Sequence, residues 1–448
     1  MSRIVSIISG ALLLLGLAFA FGVYTAVKQT ALFDLIEESK ELAKQAVRDP
    51  SSIVNPKPVH WIDQRRFEGD GVVVNRLADQ AADLVLLQGF FDGGIEIRLV
   101  GRDGQPVRRW PLNGPKLMEG VTHVRNVPST EWHFDSHGVV AMPDGSIVFN
   151  LDYIGLFKMD RCGSVIWRLA GPAHHSVDAN ADGSFWVAGT RGHFEGDRSP
   201  HPMFRPPFAE DTLWKVSADG ELIEEVSLLD SFIASDALGL LTLTGRAGPT
   251  TIPTVRYDFD AELFHLNDIE ELPERLAADF PSFRAGDLLI SLRNRNLVLV
   301  LDRETRLIKW WHIGGWIRQH DPDWVAGGTI SVFDNNRDET RTGDILGGSR
   351  IVEVDPETRE HRLVYGARDG ERFHATRRGK HQRLGNGGLL ITDAEAGRVI
   401  EVDAANQVVW SYVNGYDAEH TARISEAAVY ESGYFTIDDW SCPADPDT

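Results

Sequence analysis

Between about residue 79 and the C-terminus the chain repeats one unit. The unit is a short apolar-alternating run, a turn, a second run ending near an acidic residue, another turn, and a third run that often ends in tryptophan. It reads GSIVFNLDYIGLFKMDRCGSVIW from Gly145, GDLLISLRNRNLVLVLDRETRLIKW from Gly286 and GGLLITDAEAGRVIEVDAANQVVW from Gly387. Interrupted copies start at Gly183 and Gly328, and a degenerate copy runs from Asp83. Runs of this length, separated by DG, NG or charged clusters, are strands and hairpins. Three strands plus a fourth from the connecting segment make one propeller blade. The sequence therefore predicts an all-β fold, a six-bladed β-propeller over residues 79–448, one domain in spite of its length. The tryptophans at the ends of the copies are expected to pack blade against blade.

Upstream, Ile4 to Val27 is a run of 24 residues without a charge, between Arg3 and Lys28. It is long for the apolar core of a secretory signal and long enough to span a bilayer. Residues 1–28 are read as an uncleaved transmembrane signal anchor, with cleavage after Ala18-Phe19-Ala20 as the alternative. Residues 29–78 are read as a stalk helix (31–48) and linker, which would put the propeller on the outer face of the cytoplasmic membrane as a single-pass protein. The formal charge of −21 disfavours nucleic acid as a partner. Cys162 and Cys442 could pair in an exported protein, and the sequence leaves that open.

Five copies carry a histidine just before the first strand of the unit. His137, His175 and His320 each precede the repeat glycine by eight positions; His381 precedes it by six, and His265 opens a longer lead-in. Equivalent positions in a closed ring lie at equal radius and height, so these imidazoles are expected to converge at the mouth of the central channel. Such a ring could hold a metal with nearby carboxylates such as Asp178, Asp268 and Asp321. It could also run acid–base chemistry or supply a nucleophile. Arg337 and Arg350, downstream of His320, favour an oxyanion over a metal, because a guanidinium offers a planar fork of donors to sulfate, phosphate or carboxylate. The run Asp178-Ala-Asn180-Ala-Asp182-Gly183 begins like a calcium loop, but Gly189 stands at its twelfth position, so it is read as a hairpin turn. Insertions at 190–210 and 231–264 are placed to roof a binding site.

HLNDIEELP, GDLLISLRNRNLVLVLD, QHDPDW, SVFDNNR, GSRIVEVD and HQRLGNGGLLIT together resemble the arylsulfotransferase family, exported bacterial enzymes that do not use the nucleotide sulfate donor. The resemblance implies a six-bladed propeller, no cofactor and no metal, with an aryl sulfate and a phenol as small-molecule partners. It implies ping-pong transfer through a sulfohistidine. By motif, His381 becomes the nucleophile, with His320, His265 and Arg337 on the sulfuryl oxygens. His137, His175, Arg350 and Asn267 are assigned to substrate binding. Two other readings stand beside this one. The first is a non-catalytic propeller tethered to the membrane as an envelope scaffold. The second is a quinoprotein-like oxidoreductase, for which the sequence has no calcium–quinone site.

Overall fold

The computed structural model describes residues 2–28, 60–77, 82–124, 134–194, 206–242, 263–366 and 370–442, with single or few positions at 32, 58, 196–198, 201, 204 and 368. The chain divides into two units, Met1–Val59 and His60–Thr448. In the first, the backbone is helical over Ser2–Lys28. Among the described residues no helix is long and apolar enough to cross a membrane. The stalk helix expected over 31–48 lies outside the described residues, apart from residue 32.

The second unit is the six-bladed β-propeller that the repeat predicts. Blade II is Val139–Ala141, Ile147–Leu151, Gly155–Met159 and Val165–Ala170. Blade III is His174–Ala179, Phe185–His193, Phe208–Val216 and Leu222–Ser227. Blade IV is Leu266–Glu271, Leu288–Leu292, Leu297–Leu301 and Ile308–Ile313. Blade V is His320–Val325, Thr329–Asp334, Arg350–Val354 and His361–Tyr365, and blade VI starts with Lys380–Arg383, Leu389–Asp393, Arg398–Val402 and Val408–Val413. The middle strands are buried on both faces because each blade is covered by its two neighbours. Leu288–Leu292 and Leu297–Leu301 are buried at every position, which is why they read as continuous apolar runs. Outermost strands such as Val165–Ala170 alternate exposed and half-buried residues.

Blade I is assembled from both ends of the unit. Its outer three strands, Leu84–Phe91, Gly94–Gly101 and Pro106–Pro111, come from the N-terminal side. Its innermost strand is Ile424–Tyr430, which pairs antiparallel with Leu84–Phe91. The stretch assigned by sequence to the linker also contributes. Gly71–Asn75 pairs with Val408–Val413 as a fifth strand of blade VI, and Ile62–Gln64 pairs with His420–Ala422. At the same seam, buried Arg102 of blade I reaches Glu401 of blade VI at 2.6 Å.

The tryptophans act as the repeat suggested. The Nε1–H of Trp110 donates to Asp160 O, that of Trp167 to Ala218 O, that of Trp310 to Pro356 O and that of Trp410 to Arg102 O, each at 2.8–2.9 Å. Each bond runs from the outer strand of one blade to a turn of the next. Where blades III and V lack the tryptophan, Arg306 pairs with Glu224 and Asn406 donates to Val364 O across the same joint.

The insertion at 231–264 does not roof the axis where it is described. Leu228–Ala234 is a helix, and Leu229, Phe232, Leu240 and Leu241 join the apolar cluster shared with blades III and IV. Residues 243–262 lie outside the described residues. The two ends of the 190–210 insertion, 190–193 and 208–210, extend the long central hairpin of blade III.

Cys162 and Cys442 form a disulfide across 280 residues, with Cα atoms 5.7 Å apart. It ties the C-terminal tail, just beyond the closing strand, to a turn of blade II. A cross-link over so long a loop removes entropy mainly from the unfolded chain. We expect Cys442→Ser to lower the unfolding free energy by about 2–5 kcal/mol, read as a drop in urea midpoint. Reduction of the wild type should have the same effect and should not add to that of the variant.

Candidate active site

Four of the innermost strands enter their sheets through a register shift, at His174/Val177, Leu266/Asp268, His320/Asp323 and Ile424/Glu426. His175, His265 and Asp321 hold positive φ there, at 59°, 57° and 52°. An extra residue at that point bends the strand and re-aims the side chains beside it, here toward the mouth of the channel. There His137 stacks on His175 with ring centres 4.5 Å apart, and His265 meets His175 edge-on at 4.8 Å. A small cavity of about 20 Å³ opens beside them, lined by His137, Ser176, Asn267, His320, Asp321, Gly379, Lys380 and Ser425. The expected convergence therefore holds for His137, His175, His265 and His320.

His381 is placed differently. Blade VI enters its sheet with no register shift, pairing Lys380 with Thr392 and His381 with Ile391 in unbroken order. A one-residue change of register turns a side chain to the other face. Lys380 therefore takes the place on the channel wall, and His381 turns in between blades V and VI. Its Nδ1 lies 2.9 Å from Asp321 Oδ2, and its Nε2 lies 2.6 Å from Ser331 Oγ. The carboxylate can only accept, so Nδ1 carries the proton and the Nε2 lone pair is taken by the serine hydroxyl. Both nitrogens of the expected nucleophile are engaged. The side chain is fully buried.

His320 has the arrangement expected of His381. Asn335 donates its Nδ2 to Ala375 O and Arg378 O, at 2.8 and 2.7 Å. That fixes the amide, and its Oδ1 faces His320 Nδ1 at 2.6 Å. Nδ1 must therefore be the protonated nitrogen, which leaves the lone pair on Nε2. Nε2 is buried with no hydrogen-bond partner among the described residues, on a ring that lines the cavity. Burial, and next the charge of Arg293, hold this imidazole well below the usual histidine range, so it is neutral near pH 7.

His137 pairs its Nδ1 with Asp152 Oδ2 at 3.1 Å. Asp152 also takes the backbone N–H of His175 at 3.1 Å. Burial, followed by the nearby Arg378, lowers the His137 pKa; burial and the neighbouring imidazoles lower that of His175 well below its ordinary value. Asn267 spends one Nδ2 hydrogen on Gln319 O at 2.8 Å, and its buried Oδ1 has no partner.

The positive charge comes from residues other than those expected. Arg337 is held by Glu339 at 2.7 Å, and Arg350 by Asp334. Among the described residues neither lines the cavity. Lys380 does, bound to Asp321 and lying 3.4 Å from Asp268. Arg378 is buried behind the wall, donating to Ser425 Oγ at 2.8 Å and to Asp135. Arg293 follows the second strand of blade IV, and its backbone N–H donates to His265 O at 3.0 Å. Sequence reasoning passed over all three, because none stands at the repeated histidine position.

Below the imidazoles the innermost strands carry acids. Asp178, Asp268, Glu270, Asp321, Asp323 and Glu426 interact with one another and with Lys380. Burial pushes Asp178 up to about 7, Asp268 to about 6 and Glu426 to about 8, and lifts Glu270 and Asp323 well above their ordinary values. Burial acts on Asp321 too, but Lys380 and His381 outweigh it and hold this carboxyl low. Asp321, Asp323 and His381 place three ligand-type atoms within 4.8 Å. The Lys380 ammonium already neutralises Asp321, and both His381 nitrogens are engaged. This set therefore does not fit a divalent cation. Asp182–Gly183 is the hairpin turn that the sequence suggested, with Gly183 at φ 81° and Ser184 N–H on Asp182 Oδ1.

The sequence profile of the family described as arylsulfotransferase (ASST) matches residues 138–415. Among solved structures, a protein of unknown function from Bacteroides caccae is similar at 16% identity, over 78% of this chain and 98% of that one, with a TM-score of 0.48. A streptogramin B lyase is similar at 10% identity, over 83% and 97%, with a TM-score of 0.40. A nidogen/laminin complex is similar at 12% identity, over 78% and 98%, also with a TM-score of 0.40. No curated protein matches the chain.

The acid layer gives a pH signature. Glu426 is protonated in the fold up to about 8 and ionised above its ordinary value of about 4.5 when unfolded. The wild type therefore loses stability as pH rises between those limits. Glu426→Gln keeps an acceptor for Val139 N–H and removes the titration. Its stability relative to wild type should climb with pH by up to about 1.4 kcal/mol per unit across pH 5–8 and level off above. Parallel wild-type and variant curves in urea unfolding at several pH values would contradict this placement.

Proposed function

The chain belongs to the arylsulfotransferase family, and from that membership we propose that it moves a sulfuryl group from an aryl sulfate to a phenol, with His320 as the nucleophile. The observation that carries the assignment is the bare Nε2 of His320, on a ring whose other nitrogen is fixed as a donor by Asn335.

In the first half-reaction the Nε2 lone pair attacks sulfur. The N–S bond forms, the sulfur–aryl oxygen bond breaks, and the phenolate leaves. In the second half-reaction the acceptor phenol attacks the sulfur of sulfo-His320 and the N–S bond breaks. The phenol proton goes to His137 Nε2, whose imidazolium Asp152 stabilises through Nδ1, and then passes to the phenolate released earlier. Lys380 on the cavity wall and Arg293, whose charge is felt at His320, would offset charge on the sulfuryl oxygens and the departing oxygen. Asn267 Oδ1 is an acceptor for a phenol hydroxyl and would repel an anion, which suits the acceptor side. In this reading His381 is a positioning residue, holding Asp321 and through it Lys380. Arg337 lies outside the machinery.

We further propose, from the uncharged run Ile4–Val27 of the sequence, that the N-terminal segment attaches the enzyme to the cytoplasmic membrane with the propeller outside. Support comes from the uncharged run of the sequence and from the Cys162–Cys442 disulfide, since such bonds persist in oxidising compartments.

The test uses a chromogenic aryl sulfate with and without a phenol. Phenol-dependent release of the chromophore is expected. His320→Ala, His137→Ala and Arg293→Ala should each lower kcat/KM by at least about 100-fold, while Arg337→Ala stays within about threefold of wild type. Asn335→Leu should lower kcat more than it raises KM, because the nucleophile's tautomer is no longer fixed. Full activity in His320→Ala would remove this residue from the role.

A further inference from the structure

A second pair of imidazoles lies away from the channel, at the outer rim between blades IV and V. His312 is near the end of Ile308–Ile313, the outermost strand of blade IV, and His361 opens His361–Tyr365, the outermost strand of blade V. Their Nε2 atoms are 2.9 Å apart and their ring centres 4.8 Å apart. The rings are held from several sides. Trp310 stacks near His312 with centres 6.1 Å apart, and Trp316 lies 5.3 Å from His312 and 5.6 Å from His361. Gly315, at φ 80°, presses its backbone against His361 so closely that a Cβ there would sit 2.1 Å from the ring. Tight packing fixes where the two lone pairs can point.

The separation fits a known requirement. Imidazole nitrogens bind first-row divalent ions at about 2.0–2.1 Å. Two such bonds at a right angle put the nitrogens about 2.9 Å apart, whereas a tetrahedral angle needs about 3.3 Å. The separation therefore matches a tetragonal ion, and the two rings, which face each other in a hydrogen bond, have only to turn their Nε2 lone pairs toward a common point; a tetrahedral ion needs a small opening as well. Burial, followed for His312 by the charges of His361 and Arg359, lowers both pKa values, that of His312 to about 4. Both rings are thus neutral at pH 7, the state a metal requires. In the free protein one Nε2–H is shared between the two; on binding, each ring carries its proton on Nδ1 and turns a lone pair to the ion.

We propose that His312 and His361 form a two-imidazole site for a tetragonal divalent transition ion of the Cu2+ type, clamping the outer strands of blades IV and V. Its remaining coordination positions face outward, since His361 is exposed, and are open to water. Cu2+ is favoured over the other divalent first-row ions both by the right-angle geometry and by its place at the top of the affinity order for nitrogen ligands. The site is separate from the channel imidazoles and does not depend on the sulfuryl-transfer reading.

Copper(II) sulfate titrated into the full-length protein tests this through tryptophan emission, because Trp310 and Trp316 lie against the rings. Saturable quenching at micromolar Cu2+ is expected, with an electron paramagnetic resonance spectrum showing two nitrogen ligands. His312→Asn, His361→Asn and Gly315→Ala should each weaken that phase at least tenfold, while sulfuryl transfer in His361→Asn stays at the wild-type rate. Circular dichroism confirms that each variant is folded; His361, being exposed, is the substitution the fold tolerates most readily. An unchanged isotherm and spectrum in both histidine variants would overturn the proposal by placing copper on other imidazoles. So would the absence of wild-type quenching below millimolar copper.

Discussion

Everything at the axis depends on one pairing, that of Ile424–Tyr430 with Leu84–Phe91. A propeller is a ring, and a ring of sheets left open exposes two blade faces and a strand edge. Here the last strand of the chain closes the first blade, Gly71–Asn75 is added to the last, and Arg102 bonds Glu401 between them. The same closing strand delivers Ser425 to the cavity wall and Glu426 to the acid layer. It also gives Arg378 its partner Ser425, and Arg378 in turn offers its carbonyl to Asn335, which orients His320. Closure and the geometry of the candidate site are therefore one hydrogen-bonded system. The disulfide at Cys442 sits where it secures that strand.

The site uses neutrality as much as charge. His137, His175 and His320 are held below the usual histidine range by burial first, then by nearby arginines for His137 and His320 and by the neighbouring imidazoles for His175. A neutral imidazole is the nucleophilic form. The net charge of −21 would repel an anionic ester, whereas burial favours the protonated form of most carboxyls lower in the channel and Lys380 offsets Asp321, so these groups add less to that repulsion. Under the proposed reading the donor approaches from the imidazole side, where Arg293, Arg378 and Lys380 stand, and the acid layer serves to hold Lys380 in place. The positive charge near the imidazoles comes from arginine and lysine side chains that the motifs do not mark.

The repeat made the six blades, the tryptophan joints and the convergence of four histidines legible, because each follows from a period that recurs along the chain. Closure was not legible, because it is not periodic. Ile424–Tyr430 alternates like any strand, and nothing local says that its partner is 340 residues away in Leu84–Phe91. The misplacement of His381 has a sharper cause. The six-residue spacing to its glycine, against eight in three other copies, was visible in the sequence. Its consequence depends on a register shift present in four innermost strands and missing in Lys380–Arg383. Motif resemblance aligns letters, whereas the pleat decides which face a letter occupies, and Lys380 rather than His381 took the channel face. Arg337, close to His320 in sequence, pairs with Glu339 and, among the described residues, does not line the cavity.

If His320 carries the sulfuryl group between donor and acceptor, a sulfated His320 can be trapped before the acceptor is added. The protein is incubated with an aryl sulfate in the absence of phenol, quenched at alkaline pH to preserve the N–S bond, and digested with trypsin. Residues 319–337 then form one peptide whose only histidine is His320, while His381 falls in the separate peptide 381–383. Mass spectrometry should find the added SO3 on the 319–337 peptide, lost when phenol is supplied. The same mass on the His381 peptide, with 319–337 unmodified, would contradict the assignment and return the nucleophile to blade VI.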